Sequence, residues 1–507
     1  MLKVRLMHRD RDVDPQQELP PNEEALTQDL ELNSLFEAMA LGDVIVFDMA
    51  KRGVLSSLSD PEAIVYRQEV LADCLDHPSI AREIYDIAVA AIEGEKKFFL
   101  GGFSDSPDMV LSRSVRMLGF LVSTLKRLRK ITDEYADGFR SEGFQRLFDM
   151  LESEFDDVYI QTIEGQLRDL SLRHGVLVSA VLGKGNKGTD YVLRKPRGKS
   201  WLRWPPIGIH TYSFEIADRD MNGAKALSRI RARGVNLAAN AVAQATDQFV
   251  DFFGTLRTEL AFYIGCLNLA DRLAEKDEPT CFPVPVDAHD PALCAQGLYD
   301  VSLALLNPGG RVVGNDVLGD GKLLVMITGA NQGGKSTFLR SLGLAQLMLQ
   351  SGMFVAATSF RANVCRGIFT HYLREEDSAM ESGKLDEELR RMSDIADEIG
   401  PGCILLCNES FSSTNEREGS EIARQVVRAL VEAGVKVFFV THLFDLAQSV
   451  YRTELESALF LRAERGSDGL RPFKLVQGAP LPTSFGEDVY RQIFAPIGDT
   501  VIPGPPM

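Results

Sequence analysis

The sequence predicts a multidomain chain: an α-helical domain that carries a small β insertion, followed by an α/β domain. Three observations carry that expectation. Apolar residues recur at helical spacing from Leu30 to about His174, and again from Met221 to about Glu275. Between these stretches the pattern turns β-like and basic. From about residue 292 onward, short apolar runs alternate with helical ones, as in a layered α/β domain.

The chain has 507 residues, enough for about two to four domains with cores of their own. At 45% hydrophobic and 25% charged it has an ordinary globular composition. Its formal net charge of −17 repels nucleic acid overall, so any surface for it must be local. Seven cysteines without a CxxC pair fit a reducing compartment better than a disulfide framework. The seven histidines show no metal-ligand spacing. No secretory h-region and no uninterrupted apolar run near ~18 residues is visible. A cytoplasmic location with no membrane segment is therefore expected.

Residues 1–28, polar and with a Pro20-Pro21 pair, are expected to form a loose arm. Residues 29–290 are read as the helical domain. Asp60-Pro61-Glu62 has the N-cap and N1 residues of a helix start. One long helix is expected over about 141–172 and another, unbroken or with one break, over about 221–275. Between them 175–217 form the β insertion, with strands expected at Val176–Leu182, Tyr191–Leu193 and Thr211–Ile216. Seven basic residues fall between Leu182 and Trp204: Lys184, Lys187, Arg194, Lys195, Arg197, Lys199 and Arg203. Asp190 is the only acid there, and both tryptophans, Trp201 and Trp204, close the stretch. Such a patch can contact nucleic-acid backbone, or it can be a solvated hairpin tip or a contact to an acidic partner. Glu278–Pro291, rich in Pro and Asp, reads as a linker to the last domain, 291–507.

In that domain the strands are expected at Leu323–Ile327, Cys403–Leu406 and Val435–Val440, with a β-hairpin near Ala458–Leu475. The first strand runs into Gly329-Ala330-Asn331-Gln332-Gly333-Gly334-Lys335-Ser336-Thr337, which fits G-x-x-x-x-G-K-[ST]. A helical pattern follows from Phe338. Glycines let the backbone curl so that its N–H groups face inward, and the helix N-terminus adds partial positive charge. In such a phosphate-binding loop Lys335 reaches the β- and γ-phosphates and Ser336 ligates Mg²⁺. The second strand ends in Asn408-Glu409. Glu409 is the candidate base for an attacking water; Asn408 stands where a metal carboxylate is usual and brings no charge. The third strand ends in Thr441-His442, which puts an imidazole within reach of a γ-phosphate.

Together, Gly329–Thr337, Asn408-Glu-Ser-Phe-Ser-Ser-Thr414 and Thr441-His442 resemble the ATPase domain of the MutS family. Arg340, Asn315-Asp316, Ser382-Gly383 and Ser484-Phe485-Gly486 add to the resemblance, and Asp60-Pro61 and Arg67-Gln68 look like the family's helical core. The resemblance implies an ABC-type P-loop ATPase fold, with ATP and Mg²⁺ bound and Asn315 beside the adenine. It also implies a homodimer in which Ser382 reaches the partner's nucleotide, and lever helices that act on double-stranded DNA. No segment corresponds to the amino-terminal mismatch-reading domain, so direct mismatch recognition is not expected. Phe411-Ser412-Ser413 and Lys384-Leu385-Asp386 also depart from the family pattern, and only Val312 or Val313 stands where an aromatic would stack on adenine. Slow hydrolysis is the expectation. The alternative is a regulatory or scaffold protein with a protein or ribosomal partner.

Overall fold

The structure is a computed structural model that describes residues 2–99, 106–173, 175–195, 212–307, 309–374, 383–466 and 470–481. It divides into two compact units, Met1–Val13 with Asp73–Leu260, and Asp14–Ala72 with Ala261–Met507. The chain therefore enters the second unit, leaves it and returns, whereas the sequence suggested an arm over 1–28 and one domain boundary at 290. The mixed helical and α/β character is as expected.

The first unit is helical. It holds Pro78–Phe99, Pro107–Tyr135, Glu142–Glu154, Asp157–Leu170 and the first part of Met221–Glu275, a continuous helix of 55 residues. The helix expected over 141–172 is two. Phe155 leaves the helical region because its ring packs near Phe249 and Phe252, with centroids 5.7 and 6.4 Å away. Asp156 then caps a new helix, its carboxylate accepting the Tyr159 amide at 2.7 Å. The loose amino-terminal arm is also corrected. Val4, Leu6 and Met7 are buried, because the amides of Leu6, Met7 and Val13 donate to the carboxylate of Glu259. Leu177–Leu182 pairs antiparallel with Gly188–Arg194, as the basic insertion predicts. The strand expected at Thr211–Ile216 does not form over its described part, 212–216. No neighbouring strand pairs with it, and Tyr212 and Phe214 lie exposed.

The second unit is α/β. A six-stranded sheet runs in the order 475–477, 458–463, 324–329, 436–440, 404–408, 368–372. All of its neighbours pair in parallel except the edge strand Leu475–Gln477. The glycine loop thus leaves the middle of the sheet, flanked on both sides. Strands buried on both faces read as continuous apolar runs, which is why Leu324–Ile327, Ile404–Cys407 and Lys436–Val440 were visible in the sequence. A second sheet orders 284–286, 359–363, 293–298 and 315–318. The supposed linker is part of it: Val284–Val286 pairs with Arg361–Asn363, and the carboxylate of Glu278 accepts the Val312 amide at 2.6 Å. Pro283 and Ser351 carbonyls accept from Gln68 and Arg67 at 2.9 and 3.3 Å, so these two buried side chains tie the 61–76 helix into the same unit. Among the described residues no helix is long and apolar enough to cross a membrane.

Candidate functional site

The strand Leu324–Gly329 delivers the chain to the loop, and the helix Lys335–Gln350 takes it away. Gly334, in the left-handed region at φ 86°, makes the turn into that helix. Gly333 is required by space: a Cβ there would lie 2.6 Å from that of Ala463 and 2.8 Å from the Ala330 carbonyl oxygen. The loop is held tightly and keeps its amide-rich curve. The buried Lys335 ammonium donates to the carbonyls of Gly329 and Ala330, each at 3.1 Å. Burial pushes its pKa below the usual lysine value; Glu409 works against this and the Arg471 charge adds to it.

Ser336 and Asn408 are brought together: the Ser336 hydroxyl donates to Asn408 Oδ1 at 2.8 Å. Two oxygen donors side by side suit a hard cation that retains waters. Next in the chain, Glu409 adopts φ 56° and its amide donates to the Val440 carbonyl at 2.9 Å. This turns the carboxylate toward His442, whose Nδ1 lies 3.9 Å from Glu409 Oε1. At that distance the contact is electrostatic rather than a hydrogen bond, and it is an ion pair when the imidazole is protonated. His442 holds the Glu409 carboxyl below its ordinary value, and Glu409 raises the imidazole. A cavity of about 320 Å³ adjoins them, lined in part by Gly329, Glu416, Thr441 and His442. Asn408, Glu409 and His442 therefore gather at the carboxyl ends of neighbouring parallel strands, where α/β sheets bind ligands.

Behind Glu409 lies a buried shell that the sequence did not reveal. His371 Nδ1 is 2.7 Å from Ser410 Oγ, its Nε2 is 3.0 Å from the Glu388 carbonyl oxygen, and its ring stacks on Phe411. Burial lowers the His371 pKa to about 4, so the ring is neutral. Its signal, a histidine inside an apolar strand, is too common to single out.

Asn315 is buried. It donates to the Phe473 carbonyl at 3.2 Å and accepts the Leu475 amide at 2.8 Å. That fixes the 473–475 segment and leaves one amide hydrogen and one oxygen lone pair of Asn315 outside these two bonds. One aromatic near the loop was missed in the sequence: Phe473, half exposed, lies against Gly334, where an added Cβ would be 3.5 Å from its own. Arg340 pairs with Asp300 and Glu31 instead of facing the site.

In the first unit, Lys184, Lys187, Arg194 and Lys195 all lie on the hairpin. Two of them are occupied: Lys195 pairs with Asp169 at 2.6 Å and Arg194 donates to Ser179 at 2.9 Å. Arg197, Lys199, Arg203, Trp201, Trp204, Ser382 and Ser484-Phe485-Gly486 lie outside the described residues.

A parallel sheet with a glycine loop at its centre, and an acid and an imidazole at the next strand ends, defines the α/β class built to bind a phosphorylated ligand. Comparison with known proteins narrows the class. Residues 59–276 match the MutS2 N-terminal domain, and residues 325–502 match MutS domain V, the family's ATPase domain. The chain belongs to the MutS family. It is 27% identical over 247 residues to an Endonuclease MutS2 of Lacticaseibacillus casei, covering 47% of this chain and 30% of the relative. It is 32% identical over 192 residues to a DNA mismatch repair protein MutS of Thermotoga maritima, covering 38% of this chain and 24% of the relative. Over 158 residues it is 32% identical to an Endonuclease MutS2 of Thermus thermophilus, covering 31% and 21%. These matches span less than a third of each relative's length.

Proposed function

We propose that the chain binds ATP with Mg²⁺ at the 329–337 loop, hydrolyses it slowly, and works as a homodimer. In this reading ATP-driven association changes the grip of the helical unit, which contains residues 73–260, on double-stranded DNA without reading mismatches directly. The observation that carries it is the meeting of Ser336 with Asn408, 2.8 Å apart, beside Lys335 and the Glu409–His442 pair. Loop amides and Lys335 bind the phosphates, and Thr337 follows at the helix start. Ser336 and Asn408 hold the metal, which when bound neutralises phosphate charge. Glu409, kept ionised by His442, orients a water, and His442 contacts the terminal phosphate. The ATP-bound and ATP-free forms then differ by a γ-phosphate-biased equilibrium.

Equilibrium ATP binding to the full chain tests this. Lys335→Ala should weaken ATP by on the order of a hundredfold, since it removes charge-assisted hydrogen bonds. Equal affinity in both proteins would sink the loop assignment. Duplex affinity with and without ATP, with oligomeric state recorded alongside, tests the rest.

A second reading is favoured by the net charge of −17 and by the Lys195–Asp169 pair, which removes a cation from the basic patch. Here ATP gates a regulatory or scaffold dimer whose partner is a protein or a ribosome. Duplex affinity that is absent even at low salt supports this reading over the first.

A further inference from the structure

Residues 471–474, just before the edge strand of the six-stranded sheet, lie beside the glycine loop and the strand entering from Asn315, and the proposed chemistry has no use for them. Lys474 donates to the Gly314 carbonyl, Asn315 pins Phe473 and Leu475, and Arg471 reaches the loop itself. Arg471 Nη1 donates to the Asn331 carbonyl and lies 3.5 Å from Gln332 Oε1. Its Nη2 is buried and has no hydrogen-bond partner.

We propose that Arg471 is a phosphate ligand of the bound nucleoside triphosphate, a third cationic element beside Lys335 and the helix N-terminus. The proposal rests on the ATP-binding reading above and assigns this residue within it. A buried guanidinium donor without an acceptor is costly, and an arriving phosphate oxygen satisfies it. Two cations, Lys335 and Arg471, are also held on the same loop, Lys335 on the Gly329 and Ala330 carbonyls and Arg471 on the Asn331 carbonyl. Outside a ligand-bound state that placement is unfavourable; with a polyphosphate between them it is favourable. The site has a need for it as well. Asn408 brings no negative charge to the metal, so Mg²⁺ is held more weakly and neutralises less of the triphosphate. A fixed arginine supplies part of that charge directly, and its planar fork suits phosphate better than a lysine.

The test is calorimetric ATP binding to the full chain and to Arg471→Ala, Arg471→Gln and Arg471→Lys, with Mg²⁺ and in excess EDTA. Thermal midpoints without nucleotide check that each variant folds. Arg471→Ala and Arg471→Gln should lose about tenfold or more in EDTA, the worth of one charge-assisted hydrogen bond, and less with Mg²⁺. Arg471→Lys should recover most of the affinity because it keeps the charge. Wild-type affinity in Arg471→Ala, or in Arg471→Gln, overturns the proposal and leaves a side chain that only props the loop. Failure of the wild type to bind ATP, or equal binding by Lys335→Ala, removes the parent reading instead, and the role of Arg471 goes with it.

Discussion

In the proposed ATP site Asn408 stands beside Ser336 as the second oxygen donor to the metal. Its amide oxygen accepts from Ser336 as a carboxylate would, but with no charge to hold a divalent cation. Asn408→Asp is therefore expected to raise Mg²⁺-dependent ATP hydrolysis, by about tenfold, measured as phosphate release at limiting and saturating Mg²⁺. No rise at either concentration would mean that the metal is held elsewhere or that Glu409 is badly placed. Residues such as Lys335, Ser336, Asn408 and His442 were legible because fixed spacing places them at ends of predicted strands. Arg471 and Phe473 were not. The expected hairpin near Ala458–Leu475 does form, but its place at the sheet edge beside the glycine loop depends on strand order, which nothing local to Arg471 or Phe473 signals.

Among elements, the long helix Met221–Glu275 carries the most unusual group, Glu259. It is buried, and desolvation raises its pKa to about 7 against the pull of three backbone amides. A carboxyl whose folded pKa is raised gives stability that is fully present below its unfolded value near 4.5 and is lost as pH rises through about 7. That window is worth roughly 3 kcal/mol if the whole shift is realised. Glu259→Gln should flatten the fall in stability between pH 5 and pH 8 in denaturant titrations; an unchanged slope would show that the arm amides keep Glu259 ionised throughout. The helix itself was legible from its apolar period. The break at Phe155-Asp156 was not, because the capping aspartate sits inside an unbroken apolar pattern and only the Phe249–Phe252 cluster explains the turn.

Across the whole molecule, charge and chain order decide what can be predicted. Residues 14–72 belong with 261–507, and the sequence hid this because the Pro- and Asp-rich stretch before 291 looked like a linker while supplying a strand. In the first unit the hairpin offers Lys184 and Lys187 as cations exposed in an acidic protein. Charge reversal of both, Lys184→Glu with Lys187→Glu, should weaken duplex binding and lower the dependence of log affinity on log salt by about 2. An unchanged slope would point to the protein or ribosomal partner.

The shell behind Glu409 has an arithmetic of hydrogens. With His371 neutral and its Nε2 facing the Glu388 carbonyl, the ring proton belongs on Nε2 and Nδ1 is left as a lone pair. Ser410 has one hydroxyl hydrogen, yet two acceptors lie 2.7 Å from its oxygen, His371 Nδ1 and the His371 carbonyl. Only one can be served at a time. The rotation of one hydroxyl, on the residue directly after Glu409 in the chain, therefore decides which of the two acceptors receives the Ser410 proton.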